Sequence, residues 1–230
     1  MKKKRFIVLD VEGCANARPY NVGYIIADKH GKIYKKHSFA FPECYWENIQ
    51  KCIFNDDVKK MTHKNIQEIL TDTSNKKLKR KYKTLSINAF YNLFRKEIAK
   101  YNITEMYAYN VTFDKNALNR LFGERFTEIN LEYNDIIPAI LYTKLLTKKY
   151  IDFCRKNNLL TEKGHITTKA ENVYKYLTGD LNFTEEHTGL ADVLIEYEIL
   201  LTALKTKKKM IYKSCQAWRI LDKYIKDNNI

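Results

Sequence analysis

Asp10 and Glu12 stand two residues apart in Leu9-Asp10-Val11-Glu12-Gly13, closing the apolar run Phe6-Ile7-Val8-Leu9. Side chains alternate across a strand, so both carboxylates would share one face while Val11 points into the opposite layer. Residues i and i+2 lie about 6–7 Å apart along a strand. Two like charges at that spacing, at the end of a buried strand, repel each other unless a cation sits between them. All-oxygen donors suit hard divalent ions such as Mg²⁺ or Mn²⁺. Taken alone, the pair reads better as a strand end entering solvent.

Two further segments bear on that choice. Asp114 lies in Tyr109-Asn110-Val111-Thr112-Phe113-Asp114, after a short strand pattern and at the opening of a helical one. An acidic residue in a first helical turn is also favoured by the helix dipole, so its position has a structural reason of its own. In His187-Thr188-Gly189-Leu190-Ala191-Asp192, the aspartate opens a strongly apolar helix and the histidine precedes it. A histidine before a helix is commonly a surface or capping residue. Beside a metal carboxylate it can take a proton from an attacking water, because imidazole titrates near pH 6.5 when unperturbed.

The ordered set resembles the DEDD exonucleases: D-x-E on a first strand, Asp after an intermediate strand, and H-x(4)-D at a late helix. It resembles most the histidine-bearing subclass, which includes the DnaQ-like proofreading subunits of DNA polymerase III epsilon type and ribonuclease T. The match spans roughly residues 5 to 204. Carried over, it implies four metal-binding carboxylates, Asp10, Glu12, Asp114 and Asp192, with His187 as general base. The N-x-x-F-D context is met by Asn110 through Asp114. The resemblance further implies two divalent cations about 3.5–4 Å apart, with Asp10 bridging them. It also implies hydrolysis of phosphodiesters from a 3′ end, releasing nucleoside 5′-monophosphates. Terminal-nucleotide contacts would involve Gly13 and Cys14, with Tyr109, Asn110 and Phe113 as further substrate candidates. Val11 and Gly13 stand where many members have Thr, and Thr188-Gly189 replaces the common Arg-Ala, which leaves ligand chemistry intact and bears on substrate contacts. Lys163 through Lys169 is similar to phage-encoded members.

The elements that must position these residues can be traced from the patterning. Phe6–Leu9 reads as a strand buried on both faces. Tyr20–Ala27 and Lys32–Phe41 give two more strands, joined by a turn at Asp28-Lys29-His30-Gly31 and stopped by Pro42. A helix over Ile87–Ile98 uses Ile87, Phe90, Tyr91, Phe94 and Ile98 as one stripe. Met106–Tyr109 is a strand, Phe113–Phe122 a helix capped by Gly123, and Leu131–Asn134 a fifth strand. Helices follow from near Ile136, over Lys169–Leu177 ending at Gly179, and over His187–Leu204. The expected class is α/β: a ribonuclease H-like mixed five-stranded sheet flanked by helices.

The 230 residues suit one domain with a sizeable core. Residues 1–204 would form the exonuclease domain, with a helical and basic insertion at 43–84. Residues 205–230 would form a basic C-terminal helical tail using Ile211, Trp218, Ile220, Leu221 and Ile225. Five cysteines without a C-x-x-C pair indicate neither a zinc ribbon nor a disulfide framework. Apolar stretches fall short of the roughly 20 residues of a membrane helix, and the apolar run after the basic start is too short for a signal peptide, so the cytoplasm of a bacterial or phage-infected cell is expected. The net charge of +14 favours a polyanionic partner. DNA is preferred to RNA as that partner, and the charge itself is also what an AT-rich genome, over-using Lys, Asn, Ile and Tyr, produces. The basic runs Lys76–Lys83 and Lys205–Lys209 could contact phosphates or serve as solvated faces. Two rival functions keep the fold: an RNA-trimming 3′-exonuclease, and a nucleic-acid-binding protein without turnover.

Overall fold

The computed structural model describes residues 4–13, 16–51, 83–206 and 208–230. Most of the 43–84 insertion, Cys14 and, apart from Lys83, the Lys76–Lys83 run lie outside these residues.

The chain begins as a meander of three antiparallel strands: β1 (Arg5–Glu12), β2 (Asn21–Asp28) and β3 (Ile33–Ala40). The turn between β2 and β3 closes with a hydrogen bond from the Gly31 N–H to the Asp28 carbonyl (3.2 Å), and Gly31 takes φ +91°. That is the left-handed backbone which glycine adopts without steric cost. Helix α1 (Pro42–Lys51) starts at the proline, a residue suited to a first helical position. After a two-residue strand β4 (Lys83–Thr84) come α2 (Ile87–Tyr101), β5 (Glu105–Ala108), α3 (Val111–Phe122) and, after a 3₁₀ turn over Gly123–Glu128, β6 (Glu132–Asp135). The remainder is helical: α4 (Ile136–Ile140) running into a π-helical turn at Leu141–Leu145, α5 (Lys148–Lys156), α6 (Ala170–Thr178), α7 (Gly189–Leu204) and α8 (Ala217–Asn228).

The sheet is mixed and ordered β4-β3-β2-β1-β5-β6. β1, β2 and β3 pair antiparallel; β5 runs parallel to both β1 and β6, and β4 parallel to β3. Five strands correspond to those expected from the patterning. The sixth, β4, pairs through two exposed residues at the sheet edge, too few to produce an alternating pattern.

Two cores lie on opposite faces. Ile7, Leu9 and Val11 of β1 join Tyr24, Phe39, Phe90, Phe94, Leu118 and Phe122 in the layer against α2 and α3. There Phe90 is the hub, with ring centroids 5.2 Å from Phe39 and 5.5 Å from Phe122. Phe6 and Val8 face the other layer, with Ile136, Ile151, Val193, Ile199, Leu200 and Leu221 from α4, α5, α7 and α8. Burial of each such side chain stabilises by about 1.5–3 kcal/mol, so α7 is held firmly on this face.

The C-terminal tail differs in part from the expected single amphipathic helix. α8 covers only Ala217–Asn228, and Ile211 lies before it and is exposed, as is Trp218. The preceding segment is held by tertiary contacts instead. The Asp135 N–H donates to the Tyr212 carbonyl (3.1 Å), Ser214 Oγ donates to Asp135 Oδ2 (2.8 Å), and the Tyr212 ring packs edge-on against Tyr107. Backbone groups engaged in this way override the helical spacing of the side chains. Among the described residues no helix is long and apolar enough to cross a membrane.

Candidate metal centre

The site forms where the parallel strands end. β1 pairs with β5 only as far as Val8 and Tyr107, so Asp10 and Glu12 extend beyond the end of β5. Asp135 closes β6. The crevice beyond the carboxyl ends of parallel strands is where α/β sheets bind ligands. Asp10 and Glu12 share the face of Phe6 and Val8, whereas Val11 enters the opposite core.

Helix α7 is brought to this point by a backbone-to-backbone crossing. A Cβ on Gly23 would lie 2.0 Å from the Gly189 carbonyl carbon, and one on Gly189 would lie 2.5 Å from the Gly23 nitrogen. Only two glycines permit that approach. Asn21, fully buried, fixes it: its Oδ1 accepts from the Gly189 N–H (2.9 Å), and its Nδ2 donates to the Phe39 carbonyl (2.8 Å) and to Ser38 Oγ (3.3 Å). Gly23 is the cross-strand partner of Asp10, so the first turn of α7 lands beside that carboxylate. Asp192 follows within the turn, its N–H bonded to the Thr188 carbonyl (3.0 Å).

Asp10, Glu12 and Asp192 each place a carboxylate oxygen within 4.8 Å of the others. Two full charges at that distance repel by about 3 kcal/mol at an effective dielectric near 20, so three ionised pairs would cost on the order of 10 kcal/mol. A domain of this size is stable by about 5–15 kcal/mol in total. The cluster therefore needs protons or cations. Asp10 Oδ2 is buried and has no hydrogen-bond partner among the described residues. An all-carboxylate donor set with an orphaned oxygen fits a hard divalent cation.

Asp114 enters from the first turn of α3. Its Oδ1 accepts the Val11 N–H (3.2 Å), which ties it to the strand between Asp10 and Glu12. Burial pushes its carboxyl up to about 8, against the lowering effect of that N–H. Asp10 is raised well above the ordinary range by burial first, then by the charges of Glu12, Glu196, Asp114 and Asp192. His187 precedes α7 half-buried, with φ +48°, a left-handed conformation uncommon for a residue with a side chain.

The remaining sequence candidates are placed as follows. Tyr109 is buried, and its hydroxyl donates to the Thr168 carbonyl (2.7 Å). Asn110 is exposed at the N-cap of α3 and makes no side-chain cap bond. Phe113 is half-buried against the α2–α3 core. Gly13 follows Glu12, with Pro19 Cα 3.0 Å from where a Cβ would stand.

Three carboxyls near the site were not singled out in the sequence. Glu196 is buried one turn after Asp192 on α7, and burial followed by the charges of Asp114, Asp192 and Glu185 raises it well above the usual range. Glu185 is pushed up to about 7 by burial, with Asp192 next in effect. Asp135 caps α4 through the Ile137 N–H (3.1 Å) and is raised to about 6 by burial. The i,i+4 spacing of Asp192 and Glu196 was the available signal, since such residues share a helix face.

No protein-family model matches the sequence, and no curated protein matches it. Solved structures do. Exonuclease I of E. coli in complex with a dA16 oligonucleotide aligns over 99% of this chain, with a TM-score of 0.50 and 15% identity. The same enzyme with a dT13 oligonucleotide aligns over 88%, with a TM-score of 0.50 and 13% identity. The chain spans less than half of those proteins, 44% and 41% respectively. At this identity the likeness establishes the architecture: an α/β, ribonuclease H-like mixed sheet flanked by helices, as in exonuclease I.

Proposed function

We propose that this chain is a metal-dependent 3′→5′ exonuclease acting on single-stranded DNA. The observation that carries the reading is the convergence of Asp10, Glu12 and Asp192 within 4.8 Å, with the Asp10 Oδ2 orphaned, at the sheet ends of an exonuclease I-like fold. Asp10, Glu12, Asp114 and Asp192 would hold two divalent cations, Mg²⁺ or Mn²⁺. Bound there, such ions supply Lewis-acid polarisation of a phosphodiester and a water of lowered pKa.

The protein's own contribution is positioning. The Gly23–Gly189 crossing and Asn21 fix Asp192 relative to Asp10, and the Val11 N–H orients Asp114. Fixed carboxylates need no reorganisation as charge develops, which is the main source of electrostatic catalysis. His187, at the entry to α7, would take the proton of the attacking water. Water would bond to the terminal phosphorus as the P–O3′ bond breaks, the 3′-oxygen would be protonated from solvent, and a nucleoside 5′-monophosphate would depart. The net charge of +14 favours a polyanion, and the two solved neighbours were each crystallised with a DNA oligonucleotide. Gly13 is proposed to border the terminal nucleotide, with Tyr109, Asn110 and Phe113 as further substrate contacts.

Matched 5′-labelled DNA and RNA strands, incubated with Mn²⁺ and resolved on a sequencing gel, test the substrate. The proposal expects a ladder shortening from the 3′ end on DNA, faster than on RNA. Preferential shortening of RNA would reassign the substrate, and intact strands of both kinds would overturn the activity.

A further inference from the structure

Trp218 opens α8 with 40% of its surface exposed, on a helix that buries its neighbours Ala217 and Leu221. The ring is nevertheless held in place. His165 lies against it, with ring centroids 4.8 Å apart and planes 41° from parallel. His165 Nδ1 in turn pairs with Asp222 Oδ2, one turn further along α8 (2.7 Å). The Arg219 guanidinium stands 5.1 Å from the centroid of the indole. Arg219, Lys213 just before the helix and Lys223 one turn beyond Arg219 are exposed, and none of them makes an ion pair among the described residues.

Two connections place this ring beside the crevice. Four residues before it, Ser214 Oγ lies 3.4 Å from Thr112 Oγ1 in the first turn of α3, two residues before Asp114. Three residues after His165, the Thr168 carbonyl accepts the Tyr109 hydroxyl, just past the end of β5 (2.7 Å). Four residues of chain span at most about 14 Å, so Trp218 stands within that reach of Ser214. A stacked strand advances about 3.4 Å per nucleotide, and roughly four nucleotides cover the distance. A tryptophan that served only to pack α8 would turn its ring inward beside Leu221. Partly open, steadied by a histidine and flanked by unpaired cations, it offers the two parts that single-strand binding needs: a π-face for bases and positive charge for phosphates.

We propose that Trp218, with Arg219, is a stacking platform for the substrate strand upstream of its 3′ end. The proposal rests on the exonuclease reading above and adds a substrate contact that the resemblance does not assign. A base stacks on the indole or on the guanidinium beside it, and Arg219, Lys213 and Lys223 take phosphates. Every base has a π-face, so the platform tolerates any sequence. A duplex, whose bases are already stacked on one another, has none to offer.

The test compares the full chain with W218A and W218F on two substrates. One is a 5′-labelled dT strand of about twelve nucleotides, long enough to reach the platform. The other is the p-nitrophenyl ester of thymidine 5′-monophosphate, a single nucleotide that cannot. On the strand, W218A should raise KM about tenfold with kcat unchanged, and W218F should restore most of the loss. On the ester, W218A should match the wild type. Equal KM values on the strand would overturn the platform and leave the exonuclease reading standing. An equal loss on both substrates would also overturn it, since Trp218 would then act through the architecture of the site. Anisotropy of the labelled strand in EDTA reads binding without turnover, and the wild type should bind about tenfold more tightly than W218A. Should the wild type shorten no strand, the exonuclease reading falls, and this binding comparison alone upholds or overturns the platform. Should W218A not fold, R219E, altered only at an exposed position, is read in the same assays: an unchanged KM on the strand would overturn the platform.

Discussion

Asp114→Asn should remove an unusual pH dependence of the metal-free protein. In the folded chain the Asp114 carboxyl is pushed from its ordinary 3.8 to about 8. A carboxyl with a raised folded pKa binds its proton more tightly in the native state than in the unfolded one. Stability is then greatest below the unfolded value, and it is lost as pH rises toward the folded value. Between pH 5.5 and 8.5 the interval below 8 is about 2.5 units, worth about 3 kcal/mol at 1.36 kcal/mol per unit. Asparagine mimics the protonated acid and can still accept the Val11 N–H. Urea unfolding in EDTA at both pH values should show the variant gaining about 3 kcal/mol on the wild type between pH 5.5 and pH 8.5. Comparing the two proteins at each pH cancels the background of the other titrating charges. Millimolar Mg²⁺ should remove most of the wild type's loss, since a ligand that binds only the native state stabilises it. Parallel pH profiles for wild type and variant would refute the reasoning, because Asp114 would then not be a buried acid strained by its surroundings.

Gly23→Ala should cost about 3 kcal/mol or more, measured by urea unfolding, because its Cβ would meet the backbone of Gly189 at 2.0 Å. Asn21→Ala should cost about 2 kcal/mol, by unpairing the Gly189 N–H and the Phe39 carbonyl. In activity assays at a temperature where it is fully folded, it should also lower kcat, by loosening the first turn of α7. Glu97→Ala should cost about 3 kcal/mol by thermal or chemical unfolding. Its two oxygens satisfy the Tyr24 hydroxyl (2.7 Å) and the His37 ring (3.1 Å) within the α2 core, and its loss strands both.

The features that could be read from the sequence were those with a local cause. β1 was legible because a continuous apolar run ends abruptly in two acids. Gly31, Gly123 and Gly179 marked a turn and two helix ends, and each takes positive φ there. α7 was legible from its apolar length. The features that escaped depend on tertiary partners. β4 exists only because Phe39 and Ala40 offer an edge to Lys83 and Thr84. The segment before α8 is non-helical, with Asp135 binding Tyr212 and Ser214, which helical spacing around Ile211 cannot reveal. Glu196 was hidden two residues before the exposed Glu198 in a mostly apolar helix, where an acidic residue reads as an exposed position. Only the crossing of Gly23 and Gly189, invisible in either segment alone, determines that this face of α7 meets Asp10.

The central claim is that the Asp10, Glu12 and Asp192 cluster drives hydrolysis from a 3′ end. Its most direct measurement follows a 5′-labelled single DNA strand incubated with Mg²⁺ or Mn²⁺ and wild-type protein, beside Asp192→Ala and beside wild type in EDTA. Stepwise shortening from the 3′ end in the first reaction, abolished in the other two, is the predicted result. Equal shortening by Asp192→Ala, or cuts confined to the interior of the strand, would contradict it.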